Sequence, residues 1–385
     1  MQRRKFIQNA ALFGSLALID PMEIVAGTKV IKDFPVVRVA KGKRNFESDF
    51  IEKTIAEFQK NVKDKELGWL FNNCFPNTLD TTVTYSQKNG RPDTYVITGD
   101  IDAMWLRDSS AQVWPYMAFA GKDAKLKNLI AGVINRQTEY ILKDPYANAF
   151  YNDPDKKGEW TTDHTDMKPG VHERKYEIDS LCYPIRLAYN YWKNTEDTSP
   201  FDENWVKAIK TTLKVFKEQQ QKDGKNPYTF QRTTQFATDT RPLKGYGYPV
   251  KPVGLVCSAF RPSDDATVFS FLIPSNFFIV ASMKQAAEML ETIQKDKATA
   301  QELRALGNEV EKAIREHAVV KHPKYGDIFA FETDGFGGHL VMDDSNVPSL
   351  LSLPYLDAID INDPIYQNTR NLCFQKIIRF SLREK

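Results

Sequence analysis

The sequence predicts an all-α protein in which the helices form a ring. Apolar residues recur at helical spacing in four long stretches, residues 126–141, 205–216, 278–293 and 303–314. Four times, a polar segment that ends in Asp, Ser or Asn passes directly into an apolar helix, at intervals of roughly 70–90 residues. If these segments cap successive inner helices, all the caps lie on one rim of a helical toroid. Asp and Ser also cap helices singly in every protein class, which explains each instance by itself. The four segments are 107–109, 177–180, 263–276 and 343–346.

Two further elements precede the first polar segment. Residues 46–62 have helical apolar spacing, and residues 81–97 contain two β-rich runs on either side of Asn89-Gly90, which is the signature of a hairpin. Long loops rich in Gly, Pro and Asp occupy residues 143–172, 223–266 and 322–348. Loops of this length in a compact domain are usually functional.

Composition excludes several functions. The chain has 385 residues, 42% of them hydrophobic, and 52 basic against 50 acidic residues. It therefore has no basic field for nucleic acid and no acidic tail. Its four cysteines show no Cys-x-x-Cys pair, and its five histidines form no His-x-x-x-His motif. A structural zinc site, a disulfide framework and a metalloenzyme are therefore not indicated, and no cofactor is expected.

The N-terminus is typical of an export signal. Arg3-Arg4-Lys5 precedes the apolar run 10–19, and Ala26 fits a cleavage point, so residues 1–26 are expected to be a signal peptide. The paired arginines resemble a twin-arginine signal, and a general secretory signal fits as well. The run is too short for a bilayer anchor. We expect an exported, periplasmic protein without a membrane span, with a linker over residues 27–45.

The stretch Thr98–Tyr116 contains carboxylates, an arginine, two tryptophans and two serines in a loop that leads into a helix. We expect Asp108 or Ser109 to be the N-cap of that helix. Arg107 and Asp108 then form a fixed ion pair beside Trp105, which suits a polyhydroxylated ligand such as a sugar. A capped helix with a surface ion pair explains the stretch equally well.

The second candidate catalytic segment is Ser258–Ala266, in which the adjacent carboxylates Asp264 and Asp265 follow an Arg-Pro turn. An Asp near apolar residues and another carboxylate has a raised pKa, which a general acid requires. A solvated Asp-Asp pair that caps a helix is the alternative. The glycine-rich turn 334–339 lacks phosphate-loop spacing, and its His339 is either a ligand contact or a structural histidine. No Gly-x-Ser-x-Gly elbow is present.

Taken together, four motifs resemble glycoside hydrolase family 125 across roughly residues 40–370. They are Thr98–Gln112, Phe260–Asp265, Ile273–Asn276 and Met342–Ser349, in the order of the family. The resemblance implies an (α/α)6 barrel over residues 46–373. It also implies a metal-independent, exo-acting, inverting α-1,6-mannosidase whose partner is a mannose-containing glycan.

The resemblance also implies roles for particular residues. It assigns the general acid to Asp264, with Asp265 as second choice, and has Arg107, Asp108 and Trp105 grip the terminal sugar. The motifs add further substrate-binding candidates. These are Arg261, Asn276, His339 and Asp344. In the family the general base is a Glu that lies beyond residue 385.

The segment 374–385 departs from the family pattern and is expected to be a short basic tail after a helix. A shifted reading frame from codon 374 encodes a family-like continuation, so we expect a frameshift that truncates the ring. On that expectation the barrel is incomplete at its C-terminal end. The alternative to an active mannosidase is then a glycan-binding remnant that lacks the base, and a helical scaffold without sugar function is a third hypothesis.

Overall fold

The computed structural model describes the backbone of residues 34–381 and the side chains of residues 34–374. The expected signal peptide and the linker residues before Phe34 lie outside the described residues. Within them the chain is mostly helical, as predicted, with four small antiparallel sheets where the sequence indicated one hairpin.

Ten α-helices are present in the described chain, and the four predicted apolar stretches lie in α5, α7, α8 and α9. The predicted helix at residues 46–62 corresponds to α1. The helices are α1 (Asp49–Asn61), α2 (Lys65–Cys74), α3 (Asn77–Thr81), α4 (Leu106–Val113), α5 (Ala124–Lys143), α6 (Ile178–Thr195), α7 (Glu203–Gln219), α8 (Ile273–Thr292), α9 (Lys297–His317) and α10 (Pro364–Ser381).

The helices from α4 to α9 form two layers. Helix α4 packs against α6 and α6 against α8, whereas α5 packs on α7 and α9 lies along α8. The inner helices are buried on every side, as residues 178–188 of α6 and 273–283 of α8 show. The outer helices α7 and α9 bury one stripe each and expose the other face. A helix whose whole surface is apolar must be covered on all sides, whereas a helix with one apolar stripe can expose its other face to solvent. The apolar pattern of the sequence therefore distinguishes the inner from the outer helices.

The predicted caps of the inner helices are wrong. Helix α4 begins at Leu106, so Asp108 and Ser109 lie within its first turn, and the Ser109 hydroxyl donates to the Trp105 carbonyl at 2.6 Å. Helices α6 and α8 also begin without a side-chain cap. Helices α4 and α8 continue directly from a short strand that holds their first turn. Their polar side chains are therefore not used for capping.

The fourth polar segment does not lead into a helix. Turns occupy residues 350–357, and the Asp343 carboxylate accepts from the backbone N–H groups of Leu350 at 2.7 Å and Leu351 at 3.0 Å. Pro348 and Pro354 interrupt this region, and proline removes the donor that a helix interior needs. The predicted helix after residue 346 is therefore wrong.

The hairpin at residues 81–97 is confirmed. Strand β1 (Val83–Lys88) pairs with β2 (Arg91–Val96), and the turn residues Asn89 and Gly90 have φ of 53° and 75°. Two consecutive positive φ values are the requirement of the tight hairpin turn that Asn-Gly favours. The hairpin packs against α5.

Three further sheets hold loops in place. The first sheet contains the strands β3 (Met104–Trp105), β4 (Ala149–Phe150) and β5 (Val171–Glu173), in that order. It brings the loop before α4 beside the predicted functional loop 143–172. The second sheet contains the strands β6 (Phe271–Leu272), β9 (Glu332–Thr333) and β10 (His339–Leu340), in that order. In the third, β7 (Val319–His322) pairs with β8 (Gly326–Phe329), against which α10 packs.

Helix α10 continues without a break past residue 373, where the sequence placed the end of the domain. In the part of the chain that the structure describes, no helix combines the length and the apolar character needed to cross a bilayer.

Candidate active site

The guanidinium of Arg107, the second residue of α4, lies at the centre of a charged cluster. It donates through Nη1 to the Pro262 carbonyl, 155 residues away in sequence. Its Nη2 lies 3.4 Å from Asp108 Oδ2, and its Nε lies 3.6 Å from Asp179 Oδ2. The second ion pair exceeds normal hydrogen-bond length, and Arg107 Nε has no hydrogen-bond partner in the described chain. The cation is therefore held in place but retains donor capacity.

Four carboxyl groups share this one cation. Although burial opposes the charged guanidinium, Asp108, Glu177, Asp179 and Asp264 together raise the pKa of Arg107. Burial raises the pKa of Asp179 to about 6 and that of Glu177 well above its ordinary value. The guanidinium of Arg107 lowers the pKa of both groups, but burial and the neighbouring carboxyl groups outweigh it.

Asp264 is the member of this cluster with the most unusual backbone. Its φ is 67°, in the left-handed region, and two contacts hold it there: its N–H donates to the Arg261 carbonyl at 2.9 Å, and its carbonyl accepts from Lys175 Nζ at 3.1 Å. Burial and the nearby Glu173 raise the pKa of Asp264, despite Lys175 and Arg107. A carboxyl group that has a raised pKa and faces a cavity has the properties of a general acid.

Trp105, Arg107, Asp108 and Asp264 line one cleft of about 700 Å³, so the structure brings together these four residues predicted from the sequence. The cleft also has an aromatic wall. The His172 ring centroid lies 5.0 Å from those of Trp105 and Tyr151, and its Nδ1 lies 2.8 Å from Tyr151 Oη. Burial lowers the pKa of His172, which therefore acts as a neutral ring. Apolar ring faces beside a few polar groups suit a sugar.

Opposite charges stabilise the wall that carries Glu173. Arg232 donates to Glu173 Oε1 at 3.0 Å and to both oxygens of Asp163 at 2.8 and 2.6 Å, and its Cζ lies 3.6 Å from the Trp160 ring centroid. Burial alone would raise the pKa of Glu173, but Lys175 and Arg232 lower it to about 2. Glu173 is therefore a permanent anion, and its charge helps to keep the proton on Asp264.

Several buried polar atoms of the cluster lack a hydrogen-bond partner within the described chain. Native proteins leave few such atoms unpaired, so their concentration in one cluster, of which Arg107, Asp108 and Asp264 line the cleft, points to a ligand with several hydroxyl groups. They are Arg107 Nε, Asp108 Oδ2, Glu177 Oε1, both carboxylate oxygens of Asp179, and Asp264 Oδ1.

Comparison with known proteins identifies the family. The family model for the metal-independent α-mannosidases of glycoside hydrolase family 125 matches residues 64–382. The chain belongs to glycoside hydrolase family 125. It is thus a glycoside hydrolase of a family of α-mannosidases.

Two relatives show how far the similarity extends. The Meiotically up-regulated gene 157 protein of Schizosaccharomyces pombe is 40% identical over 357 residues, which are 88% of this chain and 70% of that protein. A solved structure of a metal-independent α-mannosidase from Streptococcus pneumoniae, in a non-productive complex with α-1,6-mannobiose, is 41% identical. It superimposes with a TM-score of 0.81 over 86% of this chain and 77% of that one.

Two other predicted residues of this family 125 chain lie outside the cleft lining and bond within the protein. Arg261 donates through Nε to the buried Glu332 at 2.6 Å. Asn276 is fully buried in α8, where its side chain bonds the N–H and the carbonyl of Val256 at 2.8 and 2.9 Å. Both residues fix loops of the family 125 fold around the cleft.

Three further candidates also lie outside the cleft lining. His339 Nε2 bonds the His317 carbonyl at 3.1 Å, and the Asp344 carboxylate accepts from the backbone and side chain of Asn346. The Asp265 carbonyl accepts from the Arg261 N–H at 2.8 Å, which closes the turn that presents Asp264. Asp265 thus shares the turn of Asp264 but lies outside its cleft.

Several residues of the family 125 site were not singled out from the sequence as site residues. Glu177 and Asp179 belong to the segment interpreted as a helix cap, and their position before the apolar run of α6 was the available signal. Trp160 and His172 lie in the long loop 143–172 that was predicted to be functional, and Glu173 follows it directly. No pattern of residue spacing in the sequence indicates that this loop lies near Arg107.

Proposed function

We propose that this α-mannosidase removes terminal mannose that is α-1,6-linked in a glycan, with inversion of configuration and with Asp264 as the general acid. The single observation that carries the proposal is the cluster of Arg107 and four carboxyl groups, in which Asp264 has a raised pKa and an unpaired Oδ1. The two helical layers are proposed to be part of an (α/α)6 barrel.

In this proposal, the terminal sugar occupies the deep end of the cleft. Its hydroxyl groups bind the side chains of Arg107 and Asp108, while one face of its ring lies on Trp105. Asp264 then donates its proton to the glycosidic oxygen as the bond to the anomeric carbon breaks. The positive charge of Arg107 then stabilises the Asp264 carboxylate that is left after the proton has been donated.

An inverting reaction also needs a second carboxylate, which removes a proton from water on the opposite face of the sugar. In inverting enzymes this group lies roughly 6.5–9.5 Å from the acid. The α-1,6 linkage in the mannobiose bound to the pneumococcal relative supports the choice of substrate.

The test is hydrolysis of mannobioses that differ only in linkage, followed by NMR. We expect the α-1,6 isomer to be cleaved in preference to the α-1,2 and α-1,3 isomers, with β-mannose as the first product because water attacks the face opposite the leaving group. Early α-mannose would contradict inversion, and preference for another isomer would contradict the linkage. Saturable binding of the α-1,6 isomer without any turnover would contradict the hydrolase proposal.

We also propose that the chain is exported to the periplasm through residues 1–26, on the basis of the paired arginines and the apolar run. Cell fractionation of the full chain and of a variant with Arg3 and Arg4 changed to Lys tests this. Wild-type protein that stays in the cytoplasmic fraction contradicts it.

A further inference from the structure

A second cavity of about 310 Å³ adjoins the cleft and shares two lining residues with it, Asp102 and Lys156. Lys156 Nζ lies 3.1 Å from Asp102 Oδ2 and 4.2 Å from the Tyr151 ring centroid. The Asp102–Lys156 ion pair therefore stands at the boundary between the two spaces. A volume near 300 Å³ is at the lower end of the range for small-molecule sites in proteins.

The exposure of side chains shows which end of the cleft meets this second cavity. Asp179 is 0% exposed and Arg107 is 14% exposed, whereas Lys156 is 39% and Asp102 is 71% exposed. The charged cluster with Asp264 is thus the closed end, and the ion pair marks the mouth. An exo-acting enzyme places the terminal sugar at the closed end, so the rest of the glycan leaves past Asp102 and Lys156.

The lining of the second cavity is polar, and its charged members are the Asp102–Lys156 pair and Asp153. Asn45, Thr84 and Asn152 contribute exposed side chains that make no hydrogen bond within the described chain, and the buried Tyr95 forms part of the wall. Free hydroxyl and amide groups both donate and accept, which matches the hydroxyl groups of a neutral sugar. Lys156 and Asp102 pair with each other, and the remaining carboxylate, Asp153, disfavours an anionic ligand.

The loop that carries Asn152 and Lys156 exposes residues 152–155 but is bonded to the rest of the fold at Lys156. A Cβ added to Gly158 would lie 1.9 Å from Tyr151 Oη, and the Gly170 N–H donates to the Lys156 carbonyl at 2.8 Å. A side chain at position 158 would displace the Tyr151 ring, so these two contacts hold the Lys156 end of the cavity wall in place.

We propose that this second cavity, lined by Asn45, Thr84 and Asn152, binds a further sugar of the leaving group, so that the preferred substrates contain at least three sugar units. This inference rests on the proposed function, since the second cavity receives the glycan only if the terminal mannose occupies the cleft. A neutral oligosaccharide is the ligand class.

Calorimetric titration of Asp264→Asn with α-1,6-mannobiose and linear α-1,6-mannotriose provides the test, because this variant should cleave the sugars about 10²–10⁴-fold more slowly than the wild type. We expect the trisaccharide to bind about fivefold more tightly, which corresponds to one or two added neutral hydrogen bonds. Thr84→Trp should fill the cavity and bring the ratio of the two affinities close to one, and Asn152→Ala should lower the ratio by removing an amide. Gln87→Trp places the same ring at an exposed position on the same strand, outside the cavity, and should keep the ratio.

The outcomes separate the two proposals. If neither sugar binds, the proposed function fails and the subsite fails with it. If the disaccharide binds and the trisaccharide binds no more tightly, the subsite alone is contradicted. The subsite is also contradicted if Thr84→Trp and Asn152→Ala both leave the ratio of the two affinities unchanged. For Thr84→Trp, an unfolding temperature equal to that of the wild type shows that the variant is correctly folded.

Discussion

Asp264 and Asp265 are adjacent in sequence but occupy different environments. Only Asp264 lines the cleft, with a pKa raised by burial and Glu173. We expect Asp264→Asn to lower the rate of α-1,6-mannobiose hydrolysis by about 10²–10⁴-fold, the usual contribution of a general acid. Asn tolerates the positive φ at this position, so the fold should survive.

The control for this prediction is Asp265→Asn, which should stay close to the wild-type rate. A nitrophenyl mannoside sharpens the test, because its leaving group needs little protonation and Asp264→Asn should then lose much less activity. An equal loss on both substrates would contradict the role of Asp264 as a general acid.

The carboxyl group of Asp343 is expected to make the stability of the protein depend on pH. Burial raises its pKa from 3.8 to about 6, although its carboxylate accepts from Leu350 and Leu351. The folded protein therefore holds this proton more tightly than the unfolded chain, and the stability it contributes is present below about pH 4 and lost as the pH rises through 6. Two pKa units correspond to at most about 3 kcal/mol.

Urea unfolding between pH 4 and 7 measures this effect. The stability of Asp343→Asn relative to the wild type should rise over that range. Asp327→Asn changes the net charge by the same amount at an exposed position outside this loop, and its curve should run parallel to that of the wild type. Parallel curves for Asp343→Asn and the wild type would contradict the prediction.

At the scale of elements, α4 depends on α5 rather than on a cap. Gln137 of α5 donates to the hydroxyls of Ser109 and Ser110 at 2.9 and 2.8 Å and to the Leu106 carbonyl at 3.2 Å. These buried bonds fix the first turn of α4, which carries Arg107 and Asp108. The two-residue strand β3 aligns the same turn from the other side, so tertiary contacts position the site residues of this short helix.

Helix α5 in turn approaches the hairpin closely at Gly132. An added Cβ there would lie 2.3 Å from Thr94 Oγ1 and 2.8 Å from the Thr94 backbone nitrogen. We expect Gly132→Ala to destabilise the protein by about 1–3 kcal/mol, because backbone atoms of β2 must shift. Thermal unfolding followed by circular dichroism measures the change.

Gly307 of α9 is the matched control, since the nearest atom to its added Cβ is Met283 Cβ at 3.3 Å. Gly307→Ala should lower the melting temperature less than Gly132→Ala, because its neighbour must move by only a few tenths of an ångström and alanine is favoured in helices by up to about 1 kcal/mol. Similar losses in both variants would show that close packing on the hairpin is not the cause.

At the scale of the whole molecule, the site depends on a contact between segments far apart in sequence. Glu332 of β9 is fully buried and accepts from Arg261 Nε at 2.6 Å and from the N–H groups of Val268 and Phe269 at 3.0 and 2.9 Å. These bonds hold the loop that presents Asp264. Arg261→Met and Glu332→Gln should each cost about 3 kcal/mol, because the remaining partner is left buried without its counter-charge.

A double-mutant cycle tests this contact. The double variant should lose clearly less than the sum of the two, with a coupling energy of at least about 1 kcal/mol from urea unfolding. Both single variants should lower kcat for α-1,6-mannobiose more than they raise KM, because the loop carries the acid and not the sugar clamp. A rise in KM alone for Arg261→Met would instead support the substrate-binding role predicted from its motif.

The sequence by itself determined the properties that depend on neighbouring residues. Apolar spacing located α5, α7, α8 and α9, Asn89-Gly90 located the hairpin turn, and the motifs around Arg107 and Asp264 identified the two segments of the site. Each of these signals lies within one short stretch, where period and turn chemistry act directly.

Only the tertiary structure decided which groups surround Arg107 and which candidates are engaged elsewhere. Glu177 and Asp179 join the cluster, Asn276 pairs with backbone, and Asp343 folds a loop instead of starting a helix. The physical reason is that burial and charge compensation depend on what packs nearby. The Pro262 carbonyl that Arg107 contacts lies 155 residues away, beyond the reach of any local pattern.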